Sequence, residues 1–304
     1  MVQYGNWRQE NMSTRIITDE TMRETLSHGS EDYPFCYYPE DLWDYDFHCV
    51  DWHWHSEVEF AVVKEGTVVV MAGSRRYVLP AGTGFFINSQ VIHRFETTEH
   101  AFTPNIVFSP TLLADKESLL YHKYIQPILS APVDCQLLSA DIPWQQKMPQ
   151  TLQEVFSQQE TASPCELRTV QLLLELWQTL YSHIPKPLDT TRVDSGIHSQ
   201  AQLQIMLQYI HSNYTRQVTL ADIATTVSLS KSSVLHLFQQ QLHTSPIRYL
   251  IDYRLKRAAK LLVTTESSIS FIAQSTGFDS AGYFCRKFRE LFGQTPGQYR
   301  KSAE

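Results

Sequence analysis

The sequence contains no CxxC pair, no run of about 18 apolar residues and no low-complexity tract. The first absence argues against a zinc ribbon or a disulfide framework. The five cysteines, Cys36, Cys49, Cys135, Cys165 and Cys285, are odd in number and far apart, a pattern expected of reduced thiols. The second absence excludes a membrane-spanning helix and a membrane partner of that kind. The opening MVQYGNWRQENM lacks the apolar core of a signal peptide, so a cytoplasmic protein is expected. What is present is a globular composition, 42% hydrophobic and 19% charged, in 304 residues, long enough for two domains.

Charge is unevenly placed. From Ser195 to the end there are twelve Lys and Arg against six Asp and Glu, a balance of +6. The whole chain carries −7, so residues 1–194 carry −13. A basic C-terminal part suits a polyanion, and an acidic N-terminal part does not.

Residues 50–110 hold short β-branched and aromatic runs punctuated by Gly66, Gly73, Pro80, Gly82 and Gly84, the pattern of a sandwich, barrel or jelly roll. From 145 to about 183 the pattern becomes helical. ELRTVQLLLELWQTLYSHI is apolar on more than one side, and a second subunit is one natural cover for the additional face. IPKPLDTTRVDSGIHS, 184–199, has two prolines and no periodicity and reads as a linker. The expected domains are 1–183, for effector binding and dimerisation, and 200–304, all helical.

The last hundred residues contain a near-repeat. Ala224 corresponds to Ala273 and Leu229 to Phe278 at an offset of 49; Val234, Phe238, Pro246 and Tyr249 correspond to Phe284, Phe288, Pro296 and Tyr299 at an offset of 50. The extra residue is expected at the start of the second copy's second helix. Each copy reads as helix, tight turn, helix, over about 220–240 and 269–290. Gly277 suits a left-handed turn, and Ser230 and either Asp279 or Ser280 suit helix caps. Phe284 and Phe288, like Val234 and Phe238, lie one helical turn apart and would anchor the second helix of each unit. This turns Lys231, Ser232, Leu235 and His236 outward in the first copy, and Ser280, Ala281, Gly282, Cys285, Arg286 and Lys287 in the second. Small residues with basic side chains on a free helix face suit a DNA major groove. Arg286 would reach a base edge or a phosphate, and Lys231, Lys287 and Arg289 would reach phosphates.

Residues 218–300 resemble the DNA-binding domain of the AraC/XylS family of transcription regulators. The resemblance rests on Ile272-Ala273, Gly277-Phe278, Tyr283-Phe284, Arg286, Phe288, Phe292-Gly293, Pro296 and Tyr299-Arg300. YLIDYRLKRAAKLL, 249–262, is similar to the helix that joins the family's two helix-turn-helix units. The resemblance implies two recognition helices in consecutive major grooves of one DNA face. Ser228 stands where the family usually has glycine, and His236 where it usually has arginine.

The N-terminal part carries HWHSEVEFAVVKEG, 53–66, with His53, His55, Glu59 and Gly66 as HxH-x3-E-x6-G, and later His93. This resembles the first cupin motif, with Pro80, Gly82 and His93 left of a second. On one strand, residues 53, 55, 57 and 59 would share a face, so His53, His55, Glu57 and Glu59 would converge inside a barrel with His93. The aromatic stretch 33–55, with Trp54, would supply packing and a surface on which a sugar ring stacks. In the resembled family such histidines commonly line an organic effector's pocket. His53, His55, Glu59 and His93 also suit zinc, iron, manganese or nickel.

The fold expected is therefore two-domain: a β jelly-roll or cupin barrel with following helices, then an all-α double helix-turn-helix. The function expected is an effector-controlled, sequence-specific DNA-binding regulator, not an enzyme. Its partners would be double-stranded DNA, a small-molecule effector with a saccharide as first choice, a second copy of the chain, and RNA polymerase if it activates. No cofactor is required, though a metal fits the histidines. The alternatives are a cupin metalloenzyme and a constitutive DNA-binding regulator with a vestigial barrel.

Overall fold

The computed structural model describes residues 16–161, 163, 165–185 and 191–302, with the side chains of 191–198 excepted. The opening segment 1–12 and Pro164 therefore lie outside the described residues. The chain divides between His198 and Ser199 into two compact units.

The first unit contains two antiparallel sheets. One has five strands in the order β1 (Phe35–Tyr38), β8 (Asn105–Phe108), β3 (Val58–Val62), β6 (Gly84–Ile87), β9 (Cys135–Leu138). The other has four, β2 (Cys49–His53), β7 (His93–Glu96), β4 (Thr67–Ala72), β5 (Arg75–Pro80). Because side chains alternate along a strand, the five-stranded sheet serves two cores. Val58, Phe60 and Val62, with Phe86, Ile106 and Phe108, pack against helices. Ala61 and Val63, with Phe85 and Ile87, face the second sheet's Val50, Val68, Val70 and Phe95. A four-residue helix, α1 (Gln126–Leu129), precedes β9. The covering helices are α2 (Met148–Gln159) and α3 (Glu166–His183), which bury Leu152, Val155, Phe156, Leu173, Leu176 and Trp177. On α3, Leu167 and Leu174 remain exposed.

Helix α4 (Thr191–Asn213) begins inside the segment 184–199 that reads as a linker, so part of that segment is helical; residues 186–190 are outside the described residues. The second unit continues with α5 (Leu220–Thr226), α6 (Lys231–Leu242), α7 (Pro246–Thr264), α8 (Ile269–Ser275), α9 (Ala281–Phe292) and α10 (Pro296–Ser302). Their starts follow the sequence closely. Thr219 and Asp222 form a reciprocal cap on α5, while Ser230, Ser245, Ser268 and Ser280 cap α6, α7, α8 and α9.

The turns of the two helical pairs are built alike. Leu229 N–H donates to Ala224 O at 3.1 Å, and Phe278 N–H donates to Ala273 O at 2.9 Å. One residue earlier, Ser228 and Gly277 both take the left-handed conformation, at φ +54° and +88°. The turn spans four residues between α5 and α6 and five between α8 and α9. The extra residue therefore lies in the turn, between Gly277 and the Ser280 cap, and not at the start of the second helix as the alignment suggests.

Gly277 also lies close against its surroundings. A Cβ there would stand 2.4 Å from Tyr214 O and 2.8 Å from Arg254 Nε. Arg254 reaches from α7 to donate to Tyr214 O and Arg216 O, holding the end of α4. Gly277→Ala should therefore cost about 3 kcal/mol, from left-handed strain and overlap with backbone. Ser228→Gly should instead stabilise by about 0.5–1 kcal/mol, relief of left-handed strain exceeding the added unfolded-state freedom. Chemical denaturation of the full chain checks both signs.

Candidate functional site: a histidine–carboxylate cavity and two helix-turn-helix faces

Between the sheets lies a cavity of about 340 Å³. Its apolar wall includes Val50, Phe95 and Val107, and its polar wall includes His53, His55, Glu59 and Asn105. The two histidines and Glu59 do not share a strand as the sequence pattern suggests. His53 ends β2 in one sheet, Glu59 lies on β3 in the other, and His55 is in the crossover between them. They converge because both strands face the same interior. A register shift between Val50 and His53 lets both residues face the cavity although they are three apart. His53 is paired across the ladder with His93 of β7, their rings 4.1 Å apart.

The imidazoles are oriented by the backbone. His53 Nδ1 donates to Asp51 O at 2.8 Å, His93 Nδ1 to Val91 O at 2.8 Å and His55 Nδ1 to Glu57 O at 3.2 Å. A carbonyl only accepts, so each Nδ1 carries the proton and each Nε2 points inward. His93 Nε2 and His55 Nε2 lie 3.3 and 3.6 Å from Glu59 Oε2. One ligand atom from each of His53, His55 and His93 lies within 4.8 Å of the others. His93 is fully buried and does not itself line the cavity.

The structure adds residues that no sequence motif marks. Glu24 is buried with its carboxylate 3.3 Å from His28 Nε2 and 4.0 Å from His53 Nε2. His28 Nδ1 is 2.9 Å from the Tyr38 hydroxyl. Glu40 accepts from the Tyr45 hydroxyl at 2.7 Å. All five line the cavity. Glu57 and Trp54, expected to join the site, do not line it. Glu57 accepts from Ser56 Oγ, and Trp54 Nε1 donates to Thr21 O at 3.0 Å, pinning the segment that carries Glu24.

Burial pushes the Glu59 carboxyl up, but the His55 and His93 imidazoles beside it outweigh this and hold the group below the usual carboxylate range. Glu24 is likewise raised by burial and lowered more by His28 and His53. Burial, then the charge of His93, pushes His53 down to about 3, so it is neutral. Burial, with Glu59 and Glu24 nearby, pushes Glu40 up to about 8, against the Tyr45 hydrogen bond. Among the described residues, no Lys or Arg lines the cavity. It therefore presents ionised carboxylates, a neutral acid, imidazoles and phenols, a set that satisfies hydroxyl donors and disfavours anions.

In the second unit, the anchoring residues Val234, Phe238, Phe284 and Phe288 are all fully buried. Lys231, Ser232, Leu235 and His236 of α6 are exposed, as are Ser280, Gly282 and Arg286 around α9. Ala281, Cys285 and Lys287 are half-buried. Arg286 lies over the Tyr283 ring at 5.3 Å, while Lys287 Nζ is bound to Glu290 at 2.5 Å. Each helix-turn-helix thus has one helix with an exposed outer face.

A β domain enclosing a polar cavity, carried with two helix-turn-helix units, defines a transcription regulator with a ligand-binding domain. The profile of the AraC-like ligand binding domain matches residues 34–177, and that of a helix-turn-helix domain matches residues 223–302. The chain belongs to the AraC family of regulators. It is 27% identical over 291 residues to the HTH-type transcriptional regulator YdeC of Bacillus subtilis (strain 168), covering 94% of this chain and 98% of that protein. It is 26% identical to the HTH-type transcriptional activator RhaS of Pectobacterium atrosepticum, over 83% of this chain and 88% of the relative. It is 24% identical to the melibiose operon regulatory protein of Escherichia coli (strain K12), over 83% and 84%. No helix among the described residues is long and apolar enough to cross a membrane.

The raised Glu40 sets a pH dependence. Its folded pKa of about 8 exceeds the ordinary value of 4.5, so the folded chain keeps a proton that the unfolded chain has lost. Stability through this group is greatest below pH 4.5 and falls as pH rises toward 8. Glu40→Gln, which cannot ionise, should gain in Tm relative to the parent as pH is raised from 5 to 8. A gap between the two proteins that stays constant over this range would remove the assignment.

Proposed function

We propose that this regulator answers a neutral saccharide bound in the β-domain cavity. The observation that supports this most directly is the cavity's chemistry: carboxylates, imidazoles and phenols on one wall, Val50, Phe95 and Val107 on the other, and no Lys or Arg among the described lining residues. A sugar offers donor hydroxyls at its rim and apolar faces to its ring. The melibiose operon regulator among the relatives points to the same class of ligand. Binding changes how the chain engages DNA through α6 and α9, with their outward residues Lys231, Ser232, Leu235, His236, Ser280, Ala281, Gly282, Cys285, Arg286 and Lys287. The reading extends to a cytoplasmic homodimer that activates through RNA polymerase. Exposed Leu167 and Leu174, two turns apart on α3, support the pairing, and the activator RhaS supports the sign.

Melting of the full chain with neutral mono- to trisaccharides, and with sugar acids and sugar phosphates of the same size, tests the effector class. At least one neutral sugar should raise Tm and the anionic forms should not. Glu59→Gln should weaken that response at least several-fold. A response confined to anionic sugars would overturn the assignment.

One observation favours a second, compatible reading, in which His53, His55 and His93 hold a divalent transition metal beside Glu59. With Nδ1 of each ring donating to a carbonyl, three Nε2 lone pairs face inward, and His93 Nε2 has no hydrogen-bond partner. Lone pairs set against a carboxylate call for a cation or a proton between them. Imidazoles fixed by outer hydrogen bonds fit zinc, iron, manganese or nickel. A bound metal would supply a Lewis-acidic site for a ligand oxygen. Full-length protein should then retain about one zinc or cobalt per chain after gel filtration, lose several degrees of Tm in chelator, and show neither property as His53→Ala. Metal-free protein with unchanged Tm would dismiss this reading and leave the saccharide reading standing.

A further inference from the structure

Helix α6 has five apolar side chains, and four are enclosed: Val234, Leu237, Phe238 and Leu242, with at most 6% exposure. Leu235 is 42% exposed. It lies on the stripe Ser232, Leu235, His236 and Gln239, with the helical spacing i, i+3, i+4, i+7, opposite the anchors Val234 and Phe238. That stripe is the face α6 offers to a major groove. The corresponding positions of α9, fifty residues on, are Gly282, Cys285, Arg286 and Arg289. The second unit thus presents guanidinium groups where the first presents an imidazole and an amide.

An isobutyl group can neither donate nor accept a hydrogen bond. The apolar group exposed in the major groove is the 5-methyl of thymine. We propose that Leu235 is a specificity-determining residue that packs on a thymine methyl in the first unit's half-site. The half-site under α6 is then specified by an apolar contact, and the one under α9 by charge-assisted hydrogen bonds from arginine. The inference rests on α6 being a recognition helix. A protein partner fits this surface less well. Leu235 is single and surrounded by Ser232, His236, Gln239 and Lys231, which suit base edges and phosphates, and one leucine offers too little area for a protein interface.

The test removes the methyl and nothing else. The full chain selects its site from random duplexes at about 0.15 M salt, a level at which non-specific phosphate contacts are weakened. Each thymine of that site is then replaced in turn by uracil. For at least one thymine, replacement should weaken binding about three- to five-fold, the effect of withdrawing one methyl from an apolar contact. Leu235→Ala should weaken binding to the thymine duplex by a similar factor and no longer distinguish thymine from uracil at that position. The two changes form a cycle in which only a shared contact gives coupling. Arg286→Ala should keep the thymine–uracil difference while losing affinity. Tolerance of uracil at every position, a site lacking thymine, or discrimination that survives Leu235→Ala would each overturn the inference. Failure to enrich any sequence would overturn the reading of α6 as a recognition helix and the inference with it, a result distinct from enrichment followed by tolerance of uracil.

Discussion

Strand β3 has to serve two surfaces at once, and the two-residue period of a strand is what allows it. Val58, Phe60 and Val62 meet the helices, while Glu59, Ala61 and Val63 meet the opposite sheet. A one-residue slip would drive the Glu59 carboxylate among Phe86, Phe108 and Trp177 and bring phenylalanine into the polar cavity. The pairing with β6 and β8, which aligns Glu59 with Ile87 and Val107, fixes the register. Burying an ionised carboxylate costs several kcal/mol unless partners receive it. The imidazoles of His55 and His93 are those partners, and the backbone carbonyls behind them set which nitrogen they present.

The histidines and Glu59 were legible in the sequence because the motif is local. The way they meet was not. Alternation along 53–59 suggests one strand, but the chain crosses between sheets at 54–57, and the register shift before His53 corrects the parity. Glu24, His28 and Glu40 left no trace in any motif. They come from segments with little regular structure, placed by long-range links such as the Trp54 bond to Thr21 O and the backbone bridge between Arg23 and Trp54. Periodicity cannot report such contacts. Strands β1 and β9, outside the 50–110 window, are edge strands of four residues, too short to stand out.

The helical unit was more readable because its signals are local and repeated. Serine and threonine caps mark five helix starts, and the paired anchors recur fifty residues apart. The extra residue was misplaced because between Leu229/Phe278 and Val234/Phe284 the alignment contains no fixed point. The left-handed residues and the caps supply it. The start of α4 carries no sequence signal, because TRVDSGIH has no apolar face to give a period and two nearby prolines read as a linker. Ser228 shows that a family glycine can be replaced without changing the turn, since serine adopts the same left-handed conformation at some cost in strain.

The charge of the helical unit overstates what it can offer to DNA. Of its twelve basic residues, Arg254 donates to the Tyr214 and Arg216 carbonyls just after α4, and Arg300 to Leu262 O in α7 and Ser267 O beyond it. Arg248 is bonded to Asp252, and Lys287 to Glu290. These groups set helix geometry and surface pairing before they meet any phosphate. Electrostatic affinity scales with the phosphates actually neutralised, so positive charge used internally adds less to it. The two helices present different outer faces. On α9, the exposed Arg286 lies over the Tyr283 ring. On α6, serine, leucine, histidine and glutamine occupy the same face with Lys231 as its cation. The two copies share a scaffold of anchors, caps and turns but differ in the surfaces it carries, so one fold presents two different chemistries.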